Sequence, residues 1–88
     1  MLEKVKLALR VTTDAFDAEI SDLIDAACGD LGIVGVGASN TTDDPLLIRA
    51  ITTYCKAHFG EPDEYDRLKA SYDEQKAQLI TATGYGLQ

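Results

Sequence analysis

DPLLIRAITTYCKAHFG, residues 44–60, is the stretch of the chain that specifies a helix most clearly. A residue before proline avoids helical backbone angles, and proline suits the first helical position. Asp44 is therefore predicted to cap a helix that Pro45 begins. Gly60 is able to adopt the left-handed conformation that ends a helix. The residues between them that share one face at helical spacing are Leu47, Ile51, Tyr54, Cys55 and His58.

The region before this helix predicts another one with a single apolar face. Asp14 or Asp17 is expected to cap its start, because a carboxylate there accepts bonds from free backbone N–H groups and complements the helix dipole. Gly32 is expected to end the helix. Its apolar face consists of Phe16, Ile20, Leu23, Ile24, Ala27 and Leu31.

Only Glu61 separates Gly60 from Pro62, which is expected to open a further helix. A linker this short forces the two helices to pack as a hairpin or a sharp corner. The apolar residues of this last helix form a narrow seam, which is typical of a packing ridge between helices. They are Tyr65, Leu68, Tyr72 and Leu79.

The fold class predicted from these patterns is all-α, a small four-helix bundle. A short first helix carries Leu2, Val5 and Leu9, and the β-branched residues 11–13 break it. A Gly-rich loop, residues 33–43, is predicted between the second and third helices, with at most a short strand at Val34 and Val36. We expect one helical domain over residues 1–82 and a flexible C-terminal tail over residues 83–88.

The composition excludes several functional classes. The chain has 88 residues and a net charge of −7, from eight basic and fifteen acidic side chains. A nucleic-acid binder normally carries a basic surface, so specific binding of DNA is not expected. No apolar run approaches the roughly 20 residues that span a bilayer, so no membrane partner is expected. A domain this small has a thin core, worth roughly 3–5 kcal/mol, which favours oligomerisation.

Catalytic residues, metal ligands and a cofactor are not predicted, and the chain is not expected to be an enzyme. Asp22 and Asp25 lie on the polar side of the second helix, where water keeps both ionised. Cys28, Cys55 and His58 leave a small metal-dependent enzyme as an alternative, but structural zinc usually has four ligands. With two cysteines far apart and no signal-peptide pattern at the start, free thiols in a reducing compartment are expected.

Charge is sorted along the chain. Residues 1–13 carry a net charge of +2, residues 14–32 carry −6 with no basic residue, and residues 46–60 carry +2. These charges either pair within one subunit, where exposed pairs contribute about 0–1 kcal/mol each, or join the basic face of one subunit to the acidic helix of the next. The candidate interface residues are Lys4, Lys6, Arg10, Asp17, Asp22, Asp25, Gly35, Gly37, Asn40 and Arg49.

Residues 48–60, IRAITTYCKAHFG, and 65–73, YDRLKASYD, resemble the head–tail connector proteins of tailed phages and prophages, also called phage DNA-packaging proteins. Residues 5–11 and 17–24 are similar to the same family. The resemblance implies a helical subunit of a homo-oligomeric ring beneath the portal protein, without catalysis. The ring would extend the DNA channel, which DNA crosses without specific binding, and dock the next neck or tail completion protein. It implies a place in the virion neck, after synthesis in the bacterial cytoplasm.

A second hypothesis belongs to a different class of protein. A small acidic inhibitor of the DNA-mimic type would occupy the basic groove of a host protein and remain a monomer or dimer. The segments of mixed charge argue against it, because a mimic spreads negative charge over most of its surface.

Overall fold

The fold contains four helices in a computed structural model that describes residues 1–60 and 62–81. No strand occurs within those two ranges, where Val36 is a single bridge residue, so the predicted all-α class is confirmed. No strand forms at Val34 and Val36, where the sequence allowed at most a short strand within a loop. The helices are α1 (Leu2–Leu9), α2 (Asp17–Ile33), α3 (Pro45–His58) and α4 (Tyr65–Thr81).

The helix α3 lies at the centre of the packing. It contacts α4 and α2 most extensively and also touches α1, which rests mainly on α2. Ile51 of α3 and Ile20 and Leu31 of α2 are fully buried. Val36, in the connection between α2 and α3, is also fully buried and so anchors that segment to the core. The remaining core residues are Val5, Ile24, Ala27, Leu47, Ala50, Cys55, Tyr72 and Leu79.

The predicted bounds of α3 are confirmed. The side chain of Asp44 accepts a hydrogen bond from the backbone N–H of Leu46 at 2.9 Å, and Pro45 occupies the first turn. Gly60 has a φ of 69°, the left-handed conformation that follows the end of the helix. The start and end of this central helix are therefore set by local sequence, with aspartate and proline at the start and glycine after the end.

The predicted ends of α2 are wrong in two respects. Phe16 occupies the cap position and no side chain bonds the first turn, because the carboxylates of Asp14 and Asp17 are turned toward Lys6 instead. Gly32 lies within the helix, and the left-handed residue is Gly35, with a φ of 86°. The helix thus continues until the next glycine permits the turn.

The other helix ends differ less from expectation. The break after α1 is confirmed, and Arg10 adopts the left-handed conformation there with a φ of 61°. The start of α4 falls later than Pro62, because Pro62 first closes a turn whose carbonyl accepts from the N–H of Tyr65 at 3.3 Å. The predicted domain boundary at residue 82 and the predicted tail over residues 83–88 lie outside the described residues.

Candidate subunit interface

Lys6 and Asp17, two candidate interface residues, contact each other within the subunit. The Nζ of Lys6 lies 2.7 Å from Asp17 Oδ1 and donates to Asp14 Oδ1 at 3.1 Å. The Lys6 side chain is only 7% exposed, and the two carboxylates raise its pKa, Asp17 most strongly. This charged group therefore joins α1 to the start of α2.

We expect Lys6→Met to lower the unfolding temperature more than Lys4→Met does. Methionine keeps the buried stem of Lys6 but removes its charge, which leaves the buried Oδ1 of Asp17 without a counter-charge. Lys4 is an exposed lysine of the same helix and serves as the matched control. Thermal unfolding followed by circular dichroism measures both. Adding Asp17→Asn to Lys6→Met should recover part of the loss, and equal effects of the two lysine variants would contradict this role.

The side of α2 that faces away from the core combines small and acidic residues. Positions 18, 22, 26, 29 and 33 lie within one face at helical spacing, and all are exposed. Ile33 is 84% exposed, and a Cβ added at Gly29 would meet no atom within 4 Å. Among residues 1–60 and 62–81, Asp22 and Asp25 have no ion-pair partner. We call residues 18, 22, 25, 26, 29 and 33 the outer face of α2.

A groove between α3 and α4 carries the opposite charge, in a space of about 350 Å³. Arg49 and Lys56 line it from α3 and lack ion-pair partners within the described ranges, whereas Arg67 of α4 pairs with Glu64 at 2.6 Å. Towards the start of α3 the groove continues as a more apolar cleft. We call it the α3/α4 groove, and its further lining residues are Leu46, Thr52, Thr53, Leu68, Ser71, Gln75, Gln78 and Leu79.

Gln75 lies where the basic and apolar parts of this groove meet. It lines both of them, together with Arg49. The amide oxygen of Gln75 is buried without a hydrogen-bond donor among the described residues. A buried acceptor without a donor is destabilising, and native structures contain few of them. The groove therefore holds one buried acceptor that receives no hydrogen bond from residues 1–60 and 62–81.

A partly buried polar network joins α2 to α4 next to the core. The hydroxyl of Tyr72 donates to Asp30 Oδ2 at 2.6 Å, and Lys76 Nζ donates to the same oxygen at 3.2 Å. The bond from Tyr72 is the main cause that lowers the pKa of Asp30, and burial together with Asp30 raises the pKa of Tyr72. The Tyr72 ring also packs edge-on against Tyr54, with centroids 5.2 Å apart. This network fixes how α4 sits against the rest of the bundle.

The structure brings few of the other predicted interface residues together. Asp25 and Asn40 line one cleft with Met1 and Leu2, at the start of α1. Lys4 and Arg10 are exposed on and just after α1, and Gly37 is exposed in the connection to α3. Gly35 adopts the left-handed conformation just after the end of α2. The ten candidates thus divide between an internal ion pair, two charged surfaces, the exposed side of α1 and the connection between α2 and α3.

The residues that suggested a metal or nucleophilic site are not arranged as one in the described part of the chain. No group of three His, Cys, Asp or Glu side chains there has the geometry to hold a metal ion. Cys55 is buried, and burial raises its thiol pKa to about 12. Burial also raises the pKa of Cys28. His58 is exposed and stacks on Tyr54 with ring centroids 4.3 Å apart.

Sequence reasoning did not place any residue of α4 in a candidate interface. Arg67, Ser71 and Gln75 face the α3/α4 groove, at positions spaced by four residues. That spacing marks one polar face of the helix. The neighbouring helix α3 also has a polar face, which contains Arg49 and Lys56. The indication that was missed is that these two polar faces meet across one groove.

The fold and these surfaces define a small all-α protein with two faces of opposite charge. None of the helices in the described ranges has the length and apolar character of a membrane span. The chain belongs to the phage connector protein family, whose family model matches residues 1–86. The resemblance to head–tail connectors is thereby confirmed, and membership makes the protein a structural component of the phage particle. No curated protein sequence and no solved structure matches the chain significantly.

Proposed function

We propose that this protein is the subunit of an adaptor ring in the virion neck. The ring lies beneath the portal protein, extends the DNA channel and docks the next neck or tail completion protein. The observation that carries the proposal is the presence of two oppositely charged surfaces on different helices of one subunit. Two different patches that meet head-to-tail make a heterologous contact, which closes into a ring when the rotation permits.

The net charge supports the role of a conduit. DNA carries one negative charge per about 1.7 Å of duplex, so a strongly basic channel would retain it. A chain of net charge −7 lets DNA pass without binding it specifically. The role requires no catalytic group, so we further propose that the protein is not an enzyme.

The first experiment measures mass in solution by light scattering over a range of protein concentrations, with negative-stain images of any large species. We expect one discrete oligomer of high mass that appears as a closed ring with a central hole. Because the contact is electrostatic, the oligomer should weaken as salt rises from 0.1 to 1 M, where the Debye length falls from about 10 to about 3 Å.

A monomer at every concentration would contradict self-assembly as an intrinsic property of the subunit. It would favour the inhibitor hypothesis, which a second assay separates. An acidic inhibitor binds a basic host protein tightly at low salt, and a pull-down from host extract with a basic-protein competitor detects this. A closed ring in the images would exclude the inhibitor as the main role.

A further inference from the structure

We propose that the outer face of α2 on one subunit seats in the α3/α4 groove of a second copy, with α2 antiparallel to α3 of that copy. This inference rests on the proposed ring and specifies its subunit contact. Three properties of the two surfaces identify a second copy as the occupant of the groove. They are the charge, the distance between the charged and apolar parts, and the room for close approach.

The charges of the two surfaces are complementary. Asp22 and Asp25 are exposed on α2, and the segment 14–32 contains no basic residue. Arg49 and Lys56 are exposed along the groove. Within the described ranges none of these four side chains has an ion-pair partner, so each remains available to a second copy. Complementary potentials of this kind steer association and fix its register.

The spacing along the helices fixes the direction. On α2, Ile33 lies 11 residues after Asp22, or about 17 Å at a rise of 1.5 Å per residue. On α3, Leu46 lies ten residues before Lys56, or about 15 Å. The antiparallel arrangement therefore places the acidic part of α2 beside Lys56 and the 84%-exposed Ile33 beside the 53%-exposed Leu46. The parallel arrangement would set the acids against the apolar end of the groove.

Small residues let the two helices approach closely. Glycine within a helix is destabilising relative to alanine. A Cβ at Gly29 would meet no atom of the subunit, so packing within the subunit does not require glycine there. In the antiparallel arrangement Gly29 lies level with Arg49 and leaves room for its long side chain.

The contact must join two copies, because a subunit is unable to make it with itself. The buried residues of α2 face α3 within the subunit, whereas Asp22, Gly29 and Ile33 lie on the opposite side of the helix. Every subunit therefore offers one outer face and one groove. Each is used once, and a chain of such contacts propagates around a ring.

Paired charge reversals test the contact. Asp22→Lys with Asp25→Lys makes both surfaces basic, and Arg49→Glu with Lys56→Glu makes both acidic. We expect each double variant alone to assemble at least tenfold more weakly than the original chain in light scattering at 0.1 M salt. Mixing the two variants should restore assembly, because the basic α2 of one fits the acidic groove of the other. Combining all four substitutions in one chain should restore it as well.

The matched control reverses two exposed acids outside both surfaces, Asp63→Lys with Glu74→Lys, and should assemble normally. Closed rings of the original chain that persist in both double variants would overturn this contact and leave the proposed ring intact. Large species that are not closed rings, yet respond to reversal and mixing as described, would overturn the ring and support the contact. An original chain that stays monomeric into the millimolar range would overturn both.

Gly29→Gln separates assembly from folding. Glutamine favours helix more than glycine does, and its Cβ would meet no atom within 4 Å, so the unfolding temperature of the monomer should not fall. Assembly should weaken at least tenfold, because the new side chain fills the space that the second copy needs. Unchanged assembly with a stable monomer would overturn the close approach of α2 to the groove.

Discussion

Ile51→Ala is expected to remove most of the stability of this protein. Ile51 is fully buried at the centre of α3, the helix that contacts the other three. Substitutions of this type cost about 2–5 kcal/mol, because they lose apolar burial and leave a cavity. A core of this size supplies only roughly 3–5 kcal/mol in total. A large fraction of the variant should therefore be unfolded at room temperature.

Urea unfolding followed by circular dichroism measures the effect, at a protein concentration low enough to keep the chain monomeric. Ile80→Ala is the matched control, since Ile80 is 44% exposed on α4 and loses the same atoms. The control should change the free energy of unfolding by less than about 0.5 kcal/mol. A loss for Ile51→Ala no larger than that of the control would show that α3 is not the centre of the core.

The sequence was sufficient to predict the four helices, because each depends on local features. Asp44, Pro45 and Gly60 fix the ends of α3 through backbone preferences that operate within a few residues. The apolar face of α2 likewise predicts which side is buried, and Ile20 and Leu31 are indeed fully buried. Periodicity therefore decided the class of the fold without any knowledge of tertiary contacts.

The start of α2 could not be predicted in the same way, because a tertiary contact decides it. Asp14 and Asp17 have the residue type and position of capping side chains, but Lys6 of α1 attracts both carboxylates. A lysine ammonium carries a full positive charge, whereas the start of a helix carries only about half a charge, so both carboxylates turn toward the lysine. Sequence spacing contains no information about which residue of α1 will approach α2.

The charges of the candidate interface could be predicted from the sequence, but its shape could not. The acidic residues of α2 and the basic residues of α3 are evident from counting by segment. The α3/α4 groove depends on how closely two helices pack, and its residues from α4 lie 18 to 30 positions after Arg49 along the chain. Only the packing of α4 against α3 brings the two sets of residues to one surface.

Tyr72→Phe is the second substitution for which we expect a large effect, about 1.5–3 kcal/mol in the free energy of unfolding at neutral pH. Phenylalanine fills the same buried space but removes the hydroxyl that donates to the Asp30 carboxylate at 2.6 Å. Asp30 then keeps only the longer bond from Lys76. Tyr65→Phe is the control, because Tyr65 is 38% exposed and its hydroxyl has no bond among the described residues.

The pH dependence of this difference identifies its cause. The Tyr72 bond holds the pKa of Asp30 below its usual range in the folded protein, so the stabilisation is present above the unfolded pKa of about 3.9 and is lost as pH falls through the lower folded pKa. The difference in the free energy of unfolding between the original chain and Tyr72→Phe should therefore be largest near pH 7 and should become smaller below about pH 4. Urea unfolding at pH 7 and pH 3 measures it. A gap of equal size at both pH values would indicate that Tyr72 acts through packing alone, and that Asp30 does not link α2 to α4 as a charged acceptor.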